Sequence, residues 1–482
     1  MLYSYYQFIP KYKLMRITQF FLVCSYILLL NSCNKQNKTG KVDYVLFSGK
    51  ISNTTEHELS VVDSNNDFNV LIPINEDGTF SDTLKIESKG SYSFIIGNEH
   101  SYMFLDQGDQ LELSIDTNKF DESITYTGTA ADVNNYLAKK VLLQESFLSN
   151  GPKSYETLFS KEATEFKNEV SKQKYAKNEL LKKYPNLDPQ FVTDQTKENH
   201  YEYLSMLNDF KETHTYYTKK SAYDTPKGFL DELKDFDIDN ANDFKTSQAY
   251  QELIISIFNK LSSEKASKDS IPLSKVLKES LSNIKSKNIK DALIKELTTQ
   301  ISPRNENVAE LYSMIIEVSD DNEMKDELTQ KFEKIKRLFK GNKSPLFSNY
   351  KNYSGGTTSL NELLGKYVYI DVWATWCAPC KAEIPYLKKI EEEFRHKNIE
   401  FVSISIDEQA KYDTWKNMVS EKELKGVQLF ADDNWSSKFV TDYIIQGIPR
   451  FILIDPDGNI VTASAPRPSD SKLLDLFKEL HI

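Results

Sequence analysis

Trp376-Cys377-Ala378-Pro379-Cys380 sets two cysteines three positions apart, between an apolar run and a helical pattern. Two sulfurs at that spacing across a helix start can pass between dithiol and disulfide, so the chemistry on offer is thiol–disulfide exchange. Cys377, on the N-cap side, has a thiolate stabilised by unpaired backbone N–H groups and the positive end of the helix dipole. It is the expected nucleophile, attacking a substrate disulfide to form a mixed disulfide. Cys380, one turn further in and expected to be more buried, would attack Cys377 and release the reduced substrate. Pro379 stiffens the turn between the sulfurs, and Trp376 covers the site and shapes the surface a substrate meets. Asp371 stands six residues before Cys377, and Gly447-Ile448-Pro449 follows about seventy residues after it.

The 482 residues hold four cysteines: Cys24, Cys33, Cys377 and Cys380. Cys24 lies in the apolar run from Ile17 to Leu30, which Lys11, Lys13 and Arg16 precede. A basic segment followed by an apolar one too short for a membrane span reads as an export signal. Leu30-Asn31-Ser32-Cys33 comes next and resembles the lipobox of bacterial lipoproteins, which implies lipidation at Cys33. Residues 1–32 are then a lipoprotein signal peptide: Cys24 is lost with it, the lipid caps Cys33, and Cys377 and Cys380 are left as the only thiols. The alternative is an uncleaved anchor helix, with the bulk of the chain exported in either case. Met15-Arg16 makes a more compact start than residues 1–14. Removing residues 1–32 takes away three basic residues and no acidic one, moving the formal charge from −11 to −14. An acidic balance without a basic stripe argues against nucleic acid as a partner. A lipid on Cys33 would supply the membrane contact.

These residues need a scaffold, and the chain offers three textures. After a polar tether over 33–41, residues 42–128 alternate with period two, and Glu76-Asp77-Gly78-Thr79-Phe80 marks a turn between strand-like runs. Short strands at this spacing predict a β-sandwich. Asp63-Ser64-Asn65-Asn66-Asp67 resembles a calcium loop but has Phe68 at its sixth position, and reads as a turn. Residues 129–340 carry amphipathic helical stripes such as Leu253, Ile254, Ile257, Phe258 and Leu261, with Gly228 the single glycine between Pro152 and Gly341. The tyrosines from Tyr201 to Tyr217 read as packing residues. Gly341 to Gly356 has the composition of a linker. Strand and helix signals alternate beyond it, with Tyr367 to Trp373 and Phe401 to Ile406 as buried strands and Ile384, Leu387, Ile390 and Phe394 as a helix stripe. The expected architecture is multidomain: an N-terminal all-β sandwich, an α-helical middle domain, and a C-terminal α/β domain over 341–482.

The C-terminal region resembles the thioredoxin-like thiol–disulfide oxidoreductases of the TlpA/ResA type. Trp376-Cys377-Ala378-Pro379-Cys380, Ser359-Leu360, Leu364-Gly365-Lys366, Gly447-Ile448-Pro449 and Asp455-Pro456-Asp457-Gly458 carry the likeness. It implies a membrane-tethered enzyme of the cell envelope, facing the periplasm from the inner or the outer membrane. That enzyme would reduce disulfides of exported proteins through a Cys377–Cys380 redox pair, with a membrane thiol–disulfide carrier as electron donor and no cofactor. Asp371 matches the buried acid of thioredoxins, and Glu383 the acid of the ResA-like branch. Either could handle the proton of Cys380, because burial raises a carboxylate toward neutrality. The resemblance also implies that Pro449 is cis and faces the disulfide, leaving the Ile448 backbone to pair with an incoming peptide. Ile448 stands where the reducing branch more often has Thr, and Arg450 also replaces a common Thr; both are departures from the pattern.

Other readings fare less well. Zinc would need two more ligands, and His396 lies at the far end of the next helix, so no metal is expected. A peroxidatic cysteine would need a Thr three residues before it, whereas Thr375 is two before Cys377. The rival functions are a disulfide isomerase or oxidase, and a cargo-binding lipoprotein in which the redox module is secondary.

Overall fold

The computed structural model describes residues 42–63, 67–148, 154–220 and 223–482. The expected signal peptide and tether, Cys24, Cys33 and the centre of the Asp63–Asp67 turn lie outside the described residues. The chain divides into two compact units, Met1–Ala138 and Lys139–Ile482.

The first unit is built from strand alternation. Its strands are β1 (Val45–Ser52), β2 (Glu58–Asp63), β3 (Asn69–Pro73), β4 (Thr79–Leu84), β5 (Gly90–Ile96), β6 (Glu99–Leu105), β7 (Gln110–Asp116) and β8 (Thr125–Gly128). They form two four-stranded sheets, ordered β4-β1-β7-β8 and β3-β2-β5-β6. In β7, Leu111, Leu113 and Ile115 point inward while the residues between them face out, and they pack on Val45, Phe47 and Phe94. The turn before β4 needs its glycine: Gly78 has φ +82°, and a Cβ there would stand 2.1 Å from the Ile51 carbonyl oxygen. Asp77 completes the turn by accepting the N–H and the hydroxyl of Thr79.

The second unit begins with helices. Those that matter here are α1 (Ala163–Leu181), α2 (Pro189–Thr218), α3 (Gln248–Asp269), α4 (Lys287–Thr298) and α5 (Val308–Val318). Their apolar stripes merge into cores that include Leu204, Leu207, Phe210, Ile254, Leu293 and Ile315. Of the tyrosines on α2, Tyr203 is buried and Tyr201 donates to Asp243 at 2.5 Å, whereas Tyr216 is exposed. A buried lysine, Lys177, pairs with Glu202 at 2.5 Å, which Lys140 also reaches at 2.9 Å.

The α/β region of this unit has a seven-stranded sheet. Its strands are β9 (Tyr350–Asn352), β10 (Thr357–Thr358), β11 (Tyr367–Trp373), β12 (Ile399–Ser405), β13 (Val427–Phe430), β14 (Arg450–Ile454) and β15 (Ile460–Thr462), in the order β10-β9-β13-β12-β11-β14-β15. β11, β12 and β13 are parallel, and β14 runs antiparallel to β11. Every residue of β11 after Tyr367 is buried, as a central strand covered on both faces demands. Helices α6 (Ala378–Glu393), α7 (Tyr412–Glu421) and α8 (Lys472–Glu479) cover it.

The stretch 341–356, polar enough to read as a linker, is instead stitched to the sheet. Gly341 and Ser344 donate to the carbonyls of Ile460 and Gly458, and β9 pairs with β13. Phe347 and Tyr350, two aromatics in a polar segment, are buried in the α/β core and hold it there.

Candidate active site

β11 delivers the chain to the site and α6 receives it. After Trp373 the backbone turns, with the Cys377 N–H donating to the Ala374 carbonyl at 3.1 Å. Cys377 is the N-cap residue of α6, and its Sγ accepts the N–H of Cys380 at 3.1 Å. Pro379 sits in the first turn, where a missing N–H costs nothing. Cys377 and Cys380 are joined in a disulfide, with their Cα atoms 5.3 Å apart. Both residues are 4 % exposed, so burial does not rank them as the sequence suggested. The helix end separates them instead, since the sulfur of Cys377 takes the helix's unpaired N–H.

The loop before the pair is held by a residue that motif reading missed. Asp407, fully buried beyond the end of β12, accepts the Thr375 N–H at 2.9 Å and the Thr375 hydroxyl at 2.7 Å. The Ser405 hydroxyl donates to the same carboxylate at 2.7 Å. A charged residue directly after an apolar strand was the available signal.

Trp376 is 56 % exposed beside the disulfide, with its ring centroid 6.4 Å from that of Trp435. Tyr386 is exposed on α6 as well. Trp376 and Trp435, both exposed beside the cysteine pair, make a surface suited to an apolar peptide. The Ile448–Pro449 peptide is cis, and Ile448 packs against the core cluster that contains both cysteines. Arg450, after the proline, is buried, reaches Ser464 at 3.5 Å, and leaves Nε and Nη2 without partners. Burial, and then the Arg304 guanidinium, push Arg450 down to about 10.

The two candidate acids have different surroundings. Asp371 is buried, and its Oδ1 has no hydrogen-bond partner. Burial, with the Glu391 and Glu383 carboxylates nearby, pushes Asp371 up to about 8. Glu383 is also buried, but it is fully engaged. It accepts the Ser469 N–H and hydroxyl at 2.9 Å each and pairs with Arg467 at 3.5 Å. The environment of Asp371 suits proton exchange, and that of Glu383 suits anchoring the 467–469 loop to α6.

A central sheet of this order, with a cysteine pair at the start of its first covering helix and a cis-proline loop entering an antiparallel strand, defines a thioredoxin-like redox domain. Residues 339–476 match the Redoxin family model. The chain is 32 % identical over 107 residues to the thiol-disulfide oxidoreductase ResA of one Bacillus cereus strain, covering 22 % of this chain and 59 % of that protein. With ResA of another strain it is 26 % identical over 149 residues, covering 31 % and 83 %. A candidate thiol-disulfide oxidoreductase from Bacteroides vulgatus, solved in solution, is 49 % identical, covering 30 % of this chain and 92 % of that one, with a TM-score of 0.27. The C-terminal region is a thioredoxin-like domain of the TlpA/ResA type.

Proposed function

We propose that the protein is a thiol–disulfide oxidoreductase that reduces disulfides of exported proteins. The carrying observation is the Cys377 sulfur at the N-cap of α6, bonded to Cys380, which shares a crevice with a buried Asp371 whose Oδ1 has no hydrogen-bond partner. In the reduced protein the Cys377 thiolate attacks one sulfur of a substrate disulfide and expels the other as a thiolate. Cys380 gives up its proton and attacks Cys377, forming the Cys377–Cys380 bond and expelling the second substrate sulfur. Two electrons pass from the dithiol to the substrate, and a membrane dithiol carrier restores the pair. The Leu30-Asn31-Ser32-Cys33 quartet supports attachment by a lipid at Cys33, with the domain in the periplasm. Among the described residues no helix is long and apolar enough to cross a membrane.

Cys377→Ser should abolish reduction of a protein disulfide; activity that survives it sinks the enzyme reading. Cys380→Ala should trap the mixed disulfide and deliver the substrate for identification. Thioredoxin-like reductants lie near roughly −270 mV, so a measured potential above about −180 mV would favour an oxidase or isomerase instead.

A further inference from the structure

Glu391 lies two turns beyond Glu383 on α6 and is only 8 % exposed. Ile384, Leu387, Lys388 and Glu391 follow one another at i, i+3, i+4 and i+7 along one face of the helix. That face lines a crevice whose other walls include Cys380, Asp371 and Gln428, with Lys388 and Lys425 also on its lining. The cavity volume is about 10 Å³, room for about one water molecule.

Two acceptors on the lining of this crevice have no hydrogen-bond donor: Asp371 Oδ1 and Gln428 Oε1. Buried acceptors without donors are costly, and a polar cavity of water size is how such groups are ordinarily satisfied. The backbone makes room for Glu391. Gly426 has φ +64°, and a Cβ there would stand 2.9 Å from the Glu391 Oε1. Lys425 is exposed, so one wall of the crevice that Cys380 also lines reaches the protein surface.

We propose that Glu391 is the proton-exchange partner of Asp371, with a water in the crevice carrying the proton of Cys380 from Asp371 to Glu391 and out past Lys388 and Lys425. The inference rests on the reading of Cys377 and Cys380 as a reducing dithiol. In the resolving step the Cys380 thiol passes its proton to Asp371, and its sulfur attacks the Sγ of Cys377. The Cys377–Cys380 bond forms as the bond to the substrate sulfur breaks, and the substrate thiolate takes a proton from solvent. Asp371 must lose its proton before the next turnover, and in its buried position it needs an acceptor with access to water. Burial pushes Glu391 up to about 7, against the pull of Lys425 and Lys388, close enough to Asp371 for the proton to move either way. The charged and titratable groups facing Asp371 are Cys380, Glu391, Glu383 and, along its own strand, Tyr369. Those facing Glu391 are Asp371, Lys388 and Lys425. Glu391 acts through Asp371 and touches no substrate.

The test uses the full chain and its Glu391→Gln and Glu391→Asp variants. Turnover on a protein disulfide should fall roughly tenfold in Glu391→Gln between about pH 6 and pH 8, and recover in Glu391→Asp. The alkylation rate of Cys377 by iodoacetamide in the reduced protein should be unchanged, which shows an intact site. The ¹³C carboxyl titration of Asp371 should move down by roughly one unit in Glu391→Gln, because a neighbouring like charge is gone. Turnover within twofold of wild type with an unmoved Asp371 titration overturns the relay. So does a loss of turnover matched by an equal loss of Cys377 alkylation, which marks a structural role. A wild-type chain that reduces no disulfide overturns the dithiol reading itself, and the relay with it.

Discussion

Arg304 donates through Nη2 to the carbonyl of Gly447 at 2.8 Å, across 143 residues of chain. Arg304 lies between helices α4 and α5, and Gly447 opens the loop that carries Ile448 and Pro449 past the cysteine pair. Ile444, just upstream, packs on the helical core as well as on the α/β core. The helical region therefore bears on the active-site loop. We expect Arg304→Ala to raise KM for a protein disulfide several-fold and to cost about 1 kcal/mol of stability, the worth of one hydrogen bond. Steady-state kinetics beside urea unfolding measures both, and an unchanged KM counts against the coupling.

Asp371 gives the fold a pH dependence with a definite sign. In the unfolded chain it ionises near the ordinary 3.8, whereas in the fold it keeps its proton to about 8. Below the lower value both states hold the proton. Between the two values the unfolded state binds fewer protons, so stability falls as pH rises, and the trend ends above the folded value. In Asp371→Asn this contribution vanishes, so its unfolding midpoint should gain on wild type progressively from about pH 4 to about pH 8. The same variant should slow turnover by roughly a hundredfold, as loss of a general base does. A gap in midpoint that stays constant with pH contradicts a buried neutral acid.

Glu383→Gln distinguishes an anchor from a proton carrier. The amide loses the charge that Ser469 and Arg467 meet, at a cost of about 1–3 kcal/mol. If anchoring is its role, the cost appears in urea unfolding and turnover at a given pH changes little. A loss of turnover comparable with that of Asp371→Asn assigns it to proton transfer.

Trp376→Ala removes an exposed ring and should leave stability within about 0.5 kcal/mol of wild type. Its effect belongs to recognition: KM for a protein disulfide rises several-fold while reduction of a small aromatic disulfide is unaltered. Equal losses on both substrates would show that the ring shapes the sulfurs' own environment instead.

Asp407→Ala strips two hydrogen bonds from the loop before Cys377 and a third from Ser405 of β12, and leaves buried donors unmet. We expect a cost of about 2–4 kcal/mol, since each orphaned donor costs about 1–3 kcal/mol. Thermal unfolding reads the loss, and alkylation of Cys377 reads the loosened site. A variant as stable as wild type would mean that the Thr375 loop is held by other contacts.

Much of this protein is legible without its fold. The spacing of Cys377 and Cys380, with Pro379 between them and an apolar strand before them, marks the candidate redox pair because a helix start is a local event. Period two over 42–128 and the three-and-four stripes over 129–340 identify the β and helical textures for the same reason: alternation and helical pitch are set by neighbours within a few residues. What the chain could not announce were the distant meetings. Nothing local marks Glu391 in its lysine- and glutamate-rich helix; packing against Gly426 and the crevice it shares with Asp371 bury it. Glu383 matches a proton-handling acid by position, and only Ser469, 86 residues on, shows that it is engaged as an anchor. The polar stretch 341–356 reads as a linker until Phe347 and Tyr350 find the core. Type and spacing declare which atoms can react, but whether a carboxylate is charged, paired or cut off from water depends on which surfaces tertiary packing brings against it. That decides how the proton of Cys380 leaves.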